Sequence, residues 1–366
     1  MKVTLADPVQ QYHNIQAEID SAIRDVMESG GFILGPQVEK LEQEVAEFSG
    51  TKYGVGVNSG TDAILLSLVA SGIGPGDEVV TSPFTFVATI EAIVLVGATP
   101  VFADIDPQTF NLCPEKAEAA ITSKTRAIMP VDLYGQMADR TAFIAMAEKH
   151  GLEIIWDAAQ AIGCSFEGNP LGSFPGSATL SFYPTKNLGA CGDGGMVLTN
   201  DEETRNRLLQ YRFHGSGGGY VYSRIGYCSR LDALQAAILR VKLRYLSSWN
   251  DSRRKHAERY RQLLDGSCVT LPYVDPRCHH IYHQFTLRCP QRDALQAHLK
   301  QNGAASGVYY PLALHLQEAY AFLGGKPGDF PVAERATQEV LSIPIHSELA
   351  DEQIDYVADL IRSFDS

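Results

Sequence analysis

The sequence lacks any CxxC pair. Its seven cysteines, Cys113, Cys164, Cys191, Cys228, Cys268, Cys278 and Cys289, are odd in number and scattered, which is not the pattern of a disulfide framework. A reducing cytoplasm suits that usage best. Cations are scarce: 30 Lys and Arg against 43 Asp and Glu give a net charge of −13. That balance repels phosphate backbones and anionic membranes, and argues against nucleic acid or a membrane as a general partner. Long apolar runs are missing too. The most apolar stretch, "AIVLVGATPVF", is broken by Gly97 and Pro100 and reads as a helix end followed by a strand, too short to span a bilayer. The opening "MKVTLADPVQQYHNIQ" has neither the basic stretch nor the apolar core of a signal peptide, so a cytoplasmic protein is expected. Nucleotide motifs fail as well. "GVGVNSG" (54–60) places its last glycine one position late for G-x-G-x-x-G, and no G-x-x-x-x-G-K-[ST] occurs.

What is present is an ordinary globular composition over 366 residues, 45% hydrophobic and 20% charged, long enough for two domains. Apolar residues at 38, 41, 45 and 48 predict an amphipathic helix. "YGVGV" reads as a buried strand, followed by a helix opened by Asn58 or Ser59 and closed by Gly72. "DEVVTSPF", "ATPVFADID", "TRAIMPVDLYG" and "LEIIWDAAQ" read as further strands separated by helices. This alternation predicts an α/β fold with a mostly parallel sheet covered on both faces, functional groups lying at strand ends. Two long helical stretches follow Leu231 and bridge to a smaller α/β domain. The expected division is 1–245 for the large domain with its N-terminal segment and 246–366 for the small one. The glycine run "HGSGGGY" (214–220) reads as a mobile loop.

The cluster "CHHIYH" gathers Cys278, His279, His280 and His283, but it leads into a strand, whereas the i, i+4 spacing of His279 and His283 needs a helix. No metal is expected. Three other features fit together. Ser59, Gly60 and Thr61 open a helix whose N–H groups and dipole would favour a phosphate, though a plain N-cap reads the same way. Asp157 ends an apolar strand, as a functional acid would, or as a cap for a following helix. Lys186 lies between two strands in "LSFYPTKNLGACGDGGMVLT", with Gly189, Gly192, Gly194 and Gly195 after it. Alone it reads as a surface lysine. Together the three are the parts that pyridoxal phosphate chemistry requires: an amine for the aldehyde, an acid for the pyridine nitrogen and a seat for the phosphate.

The segments "GGFILGPQVEKLE", "NSGTDAI", "GIGPGDEVVTSPFTFVATIEAI", "GATPVFADID", "DLYGQMAD", "WDAAQAIG", "SFYPTKNLGACGDGGMV", "GYCSRLDALQAAIL", "YYPLALHLQ" and "SIPIH" resemble, in order, the DegT/DnrJ/EryC1 family of pyridoxal-phosphate-dependent nucleotide-sugar aminotransferases. The resemblance implies the aspartate aminotransferase type of fold (fold type I). It also implies that Lys186 forms the Schiff base and shuttles the proton, and that Asp157 partners the pyridine nitrogen. Gln160 would meet the phenolic oxygen, Gly60, Thr61 and Ser181 the phosphate, and Phe86 the ring face. Tyr183, Arg230, Tyr309, Tyr310 and His315 match substrate-side positions. A homodimer with shared active sites is implied, with the segment holding Cys228 reaching in from the neighbour.

Two positions depart from the family. Cys228 stands where relatives commonly have Asn, and a thiol is a poor donor to a phosphate. Trp156 stands where relatives are often acidic. The reaction implied is transfer of an amino group from L-glutamate to a keto group of a UDP- or dTDP-linked sugar. "GDGG", with Asp193, favours C3 over C4. A C4 transaminase, a sugar dehydratase and a regulatory protein on the same fold are the alternatives; dehydratases have His where this chain has Lys186. The glycines after the lysine are expected to let the backbone turn closely beneath a flat cofactor.

Overall fold

The apolar runs at 127–129 and 154–156 suit strands buried on both faces, and both lie inside a central sheet. The structure is a computed structural model in which residues 1–364 are described. Seven strands form the sheet: β1 (Tyr53–Val57), β2 (Glu78–Thr81), β3 (Thr99–Phe102), β4 (Thr125–Met129), β5 (Glu153–Asp157), β6 (Ser177–Ser181) and β7 (Gly195–Thr199). Their order is β1-β7-β6-β5-β4-β2-β3. All run in one direction except β7, which is antiparallel to β1 and β6. The mostly parallel sheet is thus as expected.

Helices form where the apolar period predicts them. The Pro36–Ser49 helix buries Val38, Leu41 and Val45, and ends at Gly50 in the left-handed region (φ 70°). Ser59 caps the Gly60–Ala70 helix by accepting from Asp62 N at 3.0 Å. The Gly60–Ala70 helix is apolar nearly all round, since it is packed between the sheet and other helices.

A second core gathers Tyr260, Phe285, Leu287, Leu341, Ile354 and Ile361 around an antiparallel pair, Phe285–Arg288 with Val340–Ile343. Val3 joins this core from the other end of the chain, through a bridge to Ala304. The connection is not one-way. Cys278–His279 pairs with Ser165–Phe166, and Ile281 packs in the large core. The glycine run differs from its expected form. Ser216–Gly218 and Val221–Tyr222 pair as an antiparallel ribbon, because Gly218 and Gly219 at φ 128° and 57° supply the reversal.

Candidate active site

The carboxyl ends of the parallel strands converge on one cavity of about 530 Å³. Asp157 is the last residue of β5 and is buried. It caps no helix, since a turn closed by Ala161 N to Ala158 O follows it. Its Oδ2 accepts from Thr89 Oγ1 at 2.7 Å, and its Oδ1 from Ala159 N at 3.3 Å. Burial raises the Asp157 pKa, against the lowering effects of Thr89, Ala159 N–H and Lys186.

Lys186 occupies the loop between β6 and β7 and lines the same cavity. Burial lowers its pKa to about 8, opposed by the charge of Asp157. The loop is pinned on several sides. Lys186 N donates to Tyr183 O at 2.8 Å, and Asn187 Nδ2 donates to Asn250 Oδ1 at 2.7 Å. The buried Lys242 ammonium donates to Gly189 O at 2.7 Å. The glycines permit close packing within the protein. A Cβ on Gly189 would lie 2.4 Å from Pro184 O, and one on Gly195 2.2 Å from Ser59 O, so side chains there would clash with fixed backbone. None of the four has a positive φ.

The Gly60–Ala70 helix aims its N-terminus into the cavity beside Ser181. A Cβ on Gly60 would sit 2.7 Å from Ser181 Cβ, so glycine permits the approach. The N–H groups of Gly60 and Thr61 find no acceptor within their own helix, and the dipole adds positive character. Ser181 Oγ accepts from Tyr183 N at 3.3 Å, which leaves its hydroxyl hydrogen for another acceptor. This is an anion seat built from backbone and hydroxyl donors.

Phe86, Gln160, Tyr183, Asp193, Tyr309 and Tyr310 line the remaining wall. Phe86 is 55% exposed, a large apolar ring open to the cavity. Gln160 Oε1 accepts from Tyr134 N at 2.7 Å, which fixes its amide so that Nε2 points towards Tyr310 Oη at 3.3 Å. Three expected site residues lie elsewhere. His315 does not line the cavity: it is buried, with Nε2 3.1 Å from Glu334 Oε1 and its ring edge-on to Phe330. Cys228 is exposed outside the cavity, and accepts from Arg230 Nη2 at 2.9 Å. Arg230 also lies over Phe213, 5.1 Å from the ring centroid.

The site includes residues that local sequence pattern does not single out. Thr89 holds the acid; its signal was a lone buried hydroxyl within an apolar helix. His283 lines the cavity instead of gathering with the other members of its cluster, with Nδ1 3.1 Å from Asn187 Oδ1. Arg253 lines it too. It shares the inward stripe of the Leu246–Leu263 helix with Leu246, Asn250, Ala257 and Tyr260, a spacing that marked the residue in advance. Trp156 also has a reason: its Nε1 donates to Pro175 O at 2.9 Å, and the buried Arg140 lies 3.8 Å over its ring. An amine, a buried carboxylate, an anion seat and an open aromatic ring in one cavity fit pyridoxal 5'-phosphate.

Comparisons with known proteins agree. The profile of the DegT/DnrJ/EryC1/StrS aminotransferase family matches residues 13–362. A protein of Geobacillus stearothermophilus named "Pleiotropic regulatory protein" is 51% identical, over 100% of this chain and 99% of its own length. The UDP-N-acetyl-3-dehydro-alpha-D-glucosamine 3-aminotransferase of Acidithiobacillus ferrooxidans is 45% identical over 98% and 97% of the two chains. The crystal structure of DesV from S. venezuelae superposes with a TM-score of 0.98 at 42% identity, covering 100% of this chain and 99% of that one. NtdA from Bacillus subtilis, solved with bound cofactor PMP, has a TM-score of 0.92 at 31% identity, over 98% and 84%. With fold, cavity and relatives in agreement, the chain belongs to the DegT/DnrJ/EryC1/StrS aminotransferase family and is a pyridoxal-phosphate-dependent aminotransferase of fold type I.

Proposed function

We propose that the protein transfers an amino group from L-glutamate to the keto group, at C3, of a UDP- or dTDP-linked sugar. The observation that carries this reading is the sharing of one cavity by Lys186, Asp157 and the Gly60 helix end. The relative named as a 3-aminotransferase of a UDP-linked sugar supports the C3 position, as does Asp193 on the cavity wall.

Pyridoxal phosphate, when bound, supplies the electron sink that makes a proton on the amine-bearing carbon removable. The chain's residues do the rest. Gly60 and Thr61 N–H groups and Ser181 Oγ would hold the phosphate. The Asp157 carboxylate, its orientation fixed by Thr89 Oγ1, would partner the pyridine nitrogen and keep it protonated. Gln160 Nε2 would donate to the phenolic oxygen, and Phe86 would cover the ring. Lys186 Nζ, with its pKa near 8, can take and return a proton near neutral pH. Tyr183, Tyr309 and Tyr310 border the space left for the sugar.

The protein acts as a homodimer in this reading. Cys228 and Arg230 lie outside their own cavity, and the ribbon before them and the segment that follows it expose Tyr220, Val221 and Ile225, at 94%, 71% and 93%. Such a surface suits burial against a second subunit. The test is an assay of 3-keto and 4-keto sugar nucleotides on UDP and dTDP carriers with glutamate as donor. Turnover of the 4-keto sugars alone would overturn the C3 assignment. The name of the 51% identical relative raises a regulatory reading. That reading predicts a holoprotein whose visible spectrum glutamate leaves unchanged, whereas transamination bleaches it.

A further inference from the structure

A buried arginine normally faces a carboxylate, because removing a guanidinium from water costs more than neutral dipoles alone restore. Arg253 breaks this pattern. Only 7% of it is exposed, yet no ion pair among the described residues includes it. Its Nη1 donates to three carbonyls, Tyr282 O at 3.1 Å, His283 O at 3.2 Å and Ile345 O at 2.8 Å. Glu348, whose field reaches it, is instead bound by Ser347 Oγ at 2.9 Å and lies 3.6 Å from His346. Among the described residues Nε and Nη2 find no acceptor, nor are they sealed from solvent, while the residue lines the cavity. An arginine has five donors in a fixed fork. Here one arm is anchored to backbone, and the free edge is left for a ligand.

We propose that Arg253 docks a carboxylate of the amino donor. The inference rests on the transaminase reading given above and names the donor side of that site. An α-amino acid carries its carboxylate one carbon from the amine, so the docking cation must share a wall with Lys186. It does: both line the cavity, Arg253 Nη1 donates to His283 O at 3.2 Å, and His283 Nδ1 lies 3.1 Å from Oδ1 of Asn187, the neighbour of Lys186. The other cavity cations do not serve. Lys186 is engaged in the reaction, and burial beside two cations holds His283 neutral, its pKa well below the usual imidazole value. Arg253 stays charged at neutral pH, its pKa lowered only to about 10. Ile343 and Ile345 line the cavity near it, and this apolar flank strengthens a fork-to-carboxylate bond.

The test uses the holoenzyme and calorimetric binding of glutarate, which has the carboxylates but no amine, and of its neutral analogue glutaramide. Wild-type protein should bind glutarate and not glutaramide. Arg253→Gln should weaken glutarate binding about tenfold or more, with UDP binding unchanged, and Arg253→Lys should fall between. Equal binding of glutarate and glutaramide by the wild type overturns the proposal, even if Arg253→Gln fails to fold. So does unchanged glutarate binding in a folded Arg253→Gln. Weaker binding of UDP-glucuronate than of UDP-glucose by that variant, with glutarate unaffected, would assign the arginine to the sugar instead. Failure of glutamate to bleach the wild-type spectrum would remove the transaminase reading, while the glutarate result would still decide the carboxylate site.

Discussion

Thr89 Oγ1 donates a 2.7 Å hydrogen bond to Asp157 Oδ2. The hydroxyl comes from a helix and the acid from a strand end, 68 residues apart, and Thr89 in turn lies 3.0 Å from Thr85 Oγ1. The bond favours the ionised acid against a burial that disfavours it. Thr89→Val keeps the shape and removes the donor. We expect it to fold normally and to bind pyridoxamine phosphate about tenfold or more weakly, as hydrogen bonds to charged groups contribute about 1.5–3 kcal/mol. Equilibrium titration of the cofactor followed by absorbance checks this.

Covalent loading needs the neutral Lys186 amine, and burial brings its pKa to about 8 from 10.5. The rate of capture of pyridoxal phosphate by apoprotein should therefore rise with pH to a midpoint near 8, well below that of a free lysine. Asp157 raises the Lys186 pKa, so in Asp157→Asn the midpoint should move down. Stopped-flow absorbance at saturating cofactor measures both. Apoprotein stability should climb between about pH 8 and 10.5, because in that window the unfolded chain binds a proton that the folded one has released.

Lys186→Ala removes the only group proposed to hold the cofactor covalently and move the proton. Turnover and the visible absorbance of lysine-bound cofactor should both vanish, while the fold persists by circular dichroism. Retention of turnover would reject the assignment of Lys186.

Arg140 and Asp132 form an ion pair with both side chains fully buried, through Nη1 at 2.8 Å and Nη2 at 2.5 Å. Asp132 N donates to Asp157 O at 2.9 Å, so the pair adjoins the strand that carries the acid. Removing one partner strands a buried charge. Asp132→Ala or Arg140→Ala should destabilise by about 3–5 kcal/mol, and the double variant by less than the sum of the two, as read from denaturant unfolding.

Cys228→Asn restores an amide donor in the segment proposed to reach the neighbouring subunit. Cofactor retention should tighten several-fold on dialysis of the dimer. An unchanged value would separate Cys228 from the phosphate.

Much of this was legible in sequence because it depends on near neighbours in the chain. Ser59 before an apolar helix, the acid closing "LEIIWD" and the lysine between two strands each follow from local pattern, and each occurs as read. His315 is buried behind the cavity rather than on its wall; nothing in "LALHLQ" shows which way its ring turns, and Glu334 and Phe330 set it from 19 and 15 residues away. The close approaches that the glycines after Lys186 permit are to backbone at Gly189 and Gly195, and to the side chains of Gln235 at Gly192 and Leu231 at Gly194, partners distant in sequence.

The sequence by itself determined most of the elements, the mostly parallel sheet and the first members of the site, Lys186, Asp157 and the Gly60 helix end, since periodicity, caps and residue type act over a few residues. Tertiary structure decided the electrostatics of the site and added Thr89, His283 and Arg253 to it. The lowered Lys186 pKa, the Thr89 bond to Asp157 and the unpaired edge of Arg253 arise from burial and from partners brought together across the fold. Desolvation and hydrogen bonding depend on three-dimensional surroundings, which no local pattern of residues specifies.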